Sequence, residues 1–273
     1  MIRLIVYFSF LVGLGACSSL LYYPTQGQYF NPKKIPLQYD DIFITGKDGR
    51  KIHAWYFHSP TKSKGTFLFF HGNGENLTSH FIGLHWLPSE GYSYLIFDYP
   101  GYDKSEGEPT PESTVEAGKE VLRWLVKNKE EGPLYIYGQS LGGNIALRVA
   151  LEMKGEVPLK AVIVDGTFAS YQEVGRSILA KHWLTWLIQP LSYVVLSDKY
   201  APKPLADLSP IPLLVIHGVQ DPVIPVEQGE KLYAQAPEPK NLWLLPYGTH
   251  GDSFFTEDGI YRQKLLDYLH GLN

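Results

Sequence analysis

Ser140 stands at the centre of Gly138-Gln139-Ser140-Leu141-Gly142, a G-x-S-x-G run. An aromatic and β-branched stretch, Leu134 to Tyr137, leads into it, and an amphipathic one, Ile145 to Ala150, leads out. Strand, tight turn and helix is the setting in which this pattern holds a serine out at the strand's carboxyl end. The turn forces its central residue into a strained backbone, and glycines on both sides remove the Cβ atoms that would clash there. A serine hydroxyl is a poor nucleophile until a base takes its proton, and that base needs an acid to orient it. Two later segments offer candidates. The apolar run Leu213 to Ile216 leads through His217 and Gly218 to Asp221, with Pro222 and Pro225 stiffening the loop. The run Leu242 to Leu245 leads to His250, flanked by Gly248 and Gly251. Asp165, at the end of another apolar run, is the alternative acid to Asp221.

The elements that must position these groups alternate. Asp41 to Thr45 and Lys51 to His58 read as two strands around a glycine-containing turn. Thr66 to Phe70, Ser93 to Phe97 and Ala161 to Val164 are continuous apolar runs, as expected of strands buried on both faces. Between strands lie predicted helices over Leu77 to Leu87, Pro111 to Lys127, Val226 to Ala236 and Ile260 to Leu269. The rhythm predicts an α/β fold, a mostly parallel sheet with helices on both faces and functional groups at the strand carboxyl ends. One stretch breaks it. Residues 168–204 contain Ile178, Leu179, Trp183, Leu184, Trp186, Leu187 and Ile188, which predicts a small helical cap, read as a roof over an acyl-binding cleft.

The 273-residue chain suits one sizeable domain, expected over residues 39–273. Its net charge of -4 and lack of lysine clusters argue against nucleic acid as a partner. The amino terminus reads differently. Met1-Ile2-Arg3 followed by the apolar run Leu4 to Gly15 has the form of a signal peptide over residues 1–16. Leu14-Gly15-Ala16-Cys17 resembles a bacterial lipobox, and Cys17 is the only cysteine in the chain. That resemblance implies cleavage before Cys17, lipidation of its thiol and attachment to a membrane of the bacterial cell envelope. Ser18 after the cysteine resembles the signal for the outer membrane, facing the periplasm. Residues 17–38 then form a tether that becomes an arm against the domain.

Five elements in order carry a wider likeness: His71-Gly72-Asn73-Gly74, Asp98-Tyr99-Pro100-Gly101-Tyr102, Gly138 to Gly143, His217 to Pro225, and Gly248 to Gly251. With them the chain from about Tyr39 onward resembles the α/β-hydrolase superfamily, most of all its Bem46-like and ABHD13/ABHD17-like serine hydrolases. The resemblance implies Ser140 as nucleophile, His250 as general base and then acid, and Asp221 as the group orienting the imidazole. It implies an oxyanion hole from the backbone N–H of Leu141 and that of Asn73, with Gly74 as the alternative one residue on. It implies no metal and no cofactor, and a small-molecule or acylated substrate. His71 and His217 are expected to pin loops, and Asp98 to hold its turn. Asp103 departs from the likeness, standing where glycine is common, which bears on the local turn. A serine peptidase and a non-catalytic envelope lipoprotein that binds a partner are the rival readings.

Overall fold

The computed structural model describes residues 21–128, 132–181 and 183–272. The expected signal peptide and Cys17 lie outside them. Among the described residues, no helix is long and apolar enough to cross a membrane.

Eight strands form one sheet: β1 (Tyr39–Thr45), β2 (Lys51–Phe57), β3 (Thr66–Phe70), β4 (Ser93–Phe97), β5 (Leu134–Gln139), β6 (Leu159–Asp165), β7 (Leu213–Gly218) and β8 (Lys240–Leu245). Their spatial order is β1-β2-β4-β3-β5-β6-β7-β8. β2 pairs antiparallel with both β1 and β4, and every later pairing is parallel. This is the mostly parallel α/β sheet that the apolar runs predict. The helices are α1 (Leu77–His80), α2 (Pro111–Asn128), α3 (Leu141–Met153), α4 (Tyr171–Ala180), α5 (Ser192–Val195), α6 (Val226–Gln235) and α7 (Ile260–Gly271).

Successive strand residues point to opposite faces, so each buried strand feeds two cores. Leu68, Ile136, Val162 and Val215 pack with Val121 of α2, Ile145 and Val149 of α3, and Leu232 of α6. Phe67, Phe69, Tyr137 and Ile163 pack on the other face with Leu265 and Leu269 of α7. Aromatic pairs knit that second face, among them Phe67 with Tyr135 and Phe57 with Tyr94, ring centroids 4.8 and 4.6 Å apart.

The helix expected over Leu77 to Leu87 is instead a short α1 followed by two 3₁₀ turns, Phe81–Leu84 and Leu87–Glu90. The reason is visible in the spacing. Phe81, Leu84 and Leu87 recur every third residue and are all fully buried, which fits three residues per turn rather than 3.6. Gly83 and Pro88 weaken the α alternative further.

Residues 168–204 enter between β6 and β7 and contain α4, a 3₁₀ turn over Trp186–Leu191, and α5. Phe168, Tyr171, Val174 and Leu196 of this stretch are buried, while many of its other apolar side chains are exposed. Trp183 is 84% exposed, Leu187 79%, and the Trp186–Leu191 turn buries no residue at all.

The arm from Leu21 onward lies across the carboxyl ends of β3 and β4. The Asn73 side chain donates to Leu21 O and accepts from Tyr23 N–H at 2.9 Å. Tyr22 is buried, with its hydroxyl 3.2 Å from both Thr114 Oγ1 and Tyr171 Oη. Asp103 N–H donates to Thr25 O, and Gly27 N–H donates to Asp103 Oδ1. Asp103 takes φ 37, a left-handed conformation that Asp tolerates better than most residues. The departure from the family pattern at Asp103 therefore keeps the turn glycine would make and adds a carboxylate that holds the arm.

Helix packing sets one clear test. A Cβ on Gly118 of α2 would lie 2.6 Å from the Phe70 ring and 2.9 Å from Val149 of α3. Alanine in place of glycine usually stabilises a helix interior by about 1 kcal/mol. Overpacking costs about 1–3 kcal/mol, so Gly118→Ala is expected to lower the stability measured by urea unfolding.

Candidate active site

β5 ends at Gln139 and α3 begins at Leu141, leaving Ser140 alone at the bend with φ 55 and ψ -124. A Cβ on Gly138 would sit 2.6 Å from Gly143 Cα, and one on Gly142 would run into the Phe70 and His71 carbonyls. Both glycines of the G-x-S-x-G run are thus required by the closeness of the strand, helix and β3 loop. The bend is braced on both sides. Ser140 N–H donates to Asp165 O at 2.8 Å, and Thr167 Oγ1 and Gly143 N–H donate to Ser140 O at 2.6 and 3.0 Å.

The fold brings the three sequence-predicted groups into one chain of hydrogen bonds. Ser140 Oγ lies 2.9 Å from His250 Nε2, and His250 Nδ1 lies 2.7 Å from Asp221 Oδ2. Asp221 Oδ1 accepts from the N–H groups of Val223 and Ile224 at 2.7 and 2.9 Å. Burial opposes ionisation of Asp221, but the bond to His250, its charge and those two N–H donors outweigh it, holding the carboxyl below its ordinary range. An ionised Asp221 on Nδ1 fixes the tautomer that leaves Nε2 free to accept the serine proton.

Asp165, the alternative acid, is placed otherwise. Its carboxylate accepts from Tyr137 Oη at 3.0 Å and Ser253 Oγ at 2.7 Å, and burial pushes its acidity down. It braces the elbow through its carbonyl and the sheet through its side chain. The other expected supports behave as read. His71 Nδ1–H donates to Gly72 O at 2.7 Å, and burial keeps the ring neutral. His217 Nε2–H donates to Ile224 O at 3.0 Å. Asp98 Oδ1 accepts from Leu77 N–H at 2.8 Å, and its carbonyl accepts from Ser105 Oγ.

A pocket for a developing oxyanion requires donors beside Ser140. The first turn of α3 leaves the Leu141 N–H without an intrahelical acceptor. Asn73 lies in the loop after β3, and its side chain is spent on Leu21, Tyr23, Gly74 N–H and Tyr102 Oη. Its backbone N–H is the group it can offer.

Three contributors escaped the sequence reading. Gln139, the variable residue before the serine, donates from Nε2 to Gly251 O at 3.0 Å and so ties the elbow to the His250 loop. His80 stacks on His71 at 5.1 Å and donates toward Gly74 O, while burial lowers its affinity for a proton. Gly166, at φ 57, sits where a Cβ would come within 3.3 Å of Asp221 Oδ2 and 3.4 Å of His250 Nδ1. Its signal was its place directly after a strand-ending aspartate. A cleft of about 550 Å³ elsewhere, lined by Arg50, Glu106, Glu112, Glu116 and Glu120 among others, contains none of these groups.

Two substitutions separate the carboxylates, read by the rate at which a fluorophosphonate labels Ser140. Asp221→Asn is expected to slow labelling by about 10³-fold or more, and Asp165→Asn by less than about tenfold. Gly166→Ala should slow it at least about tenfold by combining backbone strain with crowding of the imidazole. An unchanged rate in Gly166→Ala contradicts the assigned geometry.

Comparison with known proteins agrees with the fold. A family model described as the alpha/beta hydrolase fold matches residues 65–182. The uncharacterized protein YfhR of Salmonella typhi is 32% identical over 264 residues, covering 91% of this chain and 86% of that one. Lysophosphatidylserine lipase ABHD12 of Macaca fascicularis is 27% identical over 231 residues, 79% of this chain and 57% of that protein. The Pyrococcus furiosus esterase Pf2001 superposes with a TM-score of 0.71 at 22% identity, over 91% of this chain and 95% of its own. That last likeness is one of fold. With the sheet order, the elbow and the family model in agreement, the chain belongs to the α/β-hydrolase fold family.

Proposed function

We propose that the protein is a serine hydrolase that cleaves an ester, with thioester and amide bonds as related substrates, through an acyl-enzyme on Ser140. The observation that carries this reading is the continuous path Ser140 Oγ, His250 Nε2, His250 Nδ1, Asp221 Oδ2, at 2.9 and 2.7 Å. His250 takes the hydroxyl proton as Ser140 Oγ attacks the acyl carbon. The negative charge that forms on the carbonyl oxygen is met by the N–H groups of Leu141 and Asn73, a kind of contact worth about 3–4 kcal/mol per donor in related chemistry. Collapse expels the alcohol, thiol or amine with the proton returned from His250. Water, deprotonated by the same imidazole, then attacks the acyl-enzyme and regenerates Ser140. No step requires a metal or cofactor.

An ester is favoured over a peptide. A peptidase would be expected to hold a substrate amine on a carboxylate near the cleft, and residues 168–204 contain only Glu173 and Asp198. Glu173 is bonded to Lys231, and Asp198 to Lys203 and Ser170. The relative named as a lysophosphatidylserine lipase supports an acyl chain as the recognised part of the substrate. The lipobox-like Leu14 to Cys17 supports a lipid-anchored protein of the bacterial envelope, and Ser18 supports the outer membrane on its periplasmic side as the proposed place.

The wild type is expected to react with a fluorophosphonate probe and Ser140→Ala to be inert. Equal labelling of the two would overturn the serine mechanism and favour a binding role. In a nitrophenyl ester series, turnover should rise from acetyl to decanoyl; equal turnover contradicts an apolar acyl preference. Cys17→Ser should abolish lipid processing and release the protein from membranes on fractionation.

A further inference from the structure

The proposed chemistry leaves the exposed apolar side chains of the cap unused. Within residues 178–194, Trp183, Leu184, Trp186, Leu187, Leu191 and Val194 are all exposed. Soluble surfaces rarely leave so many large apolar side chains together without a partner. The composition around them is informative: from Val174 to Ser197 the sequence has no Asp or Glu, while Arg176 and Lys181 fall inside it. Aromatic and aliphatic side chains free of carboxylates suit the boundary between headgroups and acyl chains.

What selects a bilayer over a protein partner is where the remaining chain leads. Leu21 is fixed at the carboxyl ends of the strands through Asn73, and Tyr22 through Tyr171, the first residue of α4 in the cap. Cys17 lies only four residues before Leu21 in the sequence, and a chain of that length spans at most roughly 14 Å. The arm that continues toward Cys17 and the apolar cap therefore meet through Tyr22 and Tyr171, at the end of the sheet that carries Ser140.

We propose that the exposed face of residues 178–194 docks on a lipid bilayer beside the amino-terminal anchor, so that Ser140 faces the membrane and takes acyl esters presented from it. This deepens the ester-hydrolase reading and rests on it for the substrate, while the docking itself is measurable without catalysis. Anchor and cap act as two contacts that fix orientation. One contact alone would tether the domain and leave the direction of its cleft free.

The full chain, reconstituted in vesicles of phosphatidylcholine and phosphatidylglycerol with brominated acyl chains, provides the test. Trp183 is 84% exposed and Trp186 55%, whereas Trp55, Trp86 and Trp243 are buried. Brominated lipid is expected to quench wild-type fluorescence, and W183F/W186F should lose most of that quenching. Equal quenching in both proteins, or none in either, overturns docking by this face. A second variant, L184D/L187D, keeps the anchor. It is expected to lose more than tenfold of turnover on a long-chain ester embedded in the vesicles, with turnover of soluble acetyl ester within twofold of wild type. Undiminished vesicle turnover overturns the proposal. If no protein turns over either ester, the hydrolase reading fails, and the quenching comparison still decides the docking. If L184D/L187D loses its fold, seen as loss of both activities and of probe labelling, the quenching comparison again decides.

Discussion

A serine backbone held at φ 55 and ψ -124 is the constraint around which the rest of the chain is arranged. Such a conformation costs about 1–3 kcal/mol, and it persists because its neighbours leave no alternative. Three hydrogen bonds close on it, from Ser140 N–H to Asp165 O and onto Ser140 O from Thr167 and Gly143. At about 1 kcal/mol net each, they are of the size needed to offset the strain. The glycines at 138 and 142 allow β5, α3 and the loop after β3 to approach until no Cβ would fit. β5 lies in the middle of the sheet between β3 and β6, so the bend is anchored in the part of the fold with least freedom to relax.

From that bend the other parts follow in space rather than in sequence. The loops after β7 and β8 carry Asp221 and His250 to the same end of the sheet because parallel strands deliver all their carboxyl ends together. Gln139 locks the His250 loop to the elbow, and Gly166 leaves room for the imidazole and its acid. The arm then crosses the neighbouring strand ends and occupies the side chain of Asn73. The arm thereby touches the loop after β3, which lies beside the elbow.

Much of this was legible in the sequence, for a physical reason. Ser140, Asp221 and His250 each follow an apolar run that can only be a buried strand, and each sits in a loop shaped by its own Gly or Pro. Fold class followed from the same runs. What was hidden depends on distant contacts or on direction. Tyr22 meets Tyr171 across 149 positions, and Gln139 meets Gly251 across 112, and no local pattern announces either. The apolar content of residues 168–204 predicted helical structure there but not how much of it would be left exposed, since an apolar run reads alike whether it is packed or bare. The break of the expected helix after His80 was readable in principle. Phe81, Leu84 and Leu87 keep a period of three, and the longer pattern around them masked it.

The central claim is that Ser140 carries the acyl group between two half-reactions. Rapid mixing of the protein with nitrophenyl decanoate, quenched in acid within the first turnover and read by intact mass and peptide mapping, tests it most directly. The account predicts a burst of nitrophenol close to one per active site and a decanoyl adduct on the peptide containing Ser140, decaying as steady state proceeds. Release of nitrophenol with no protein adduct, or with the acyl group on another residue, would contradict it.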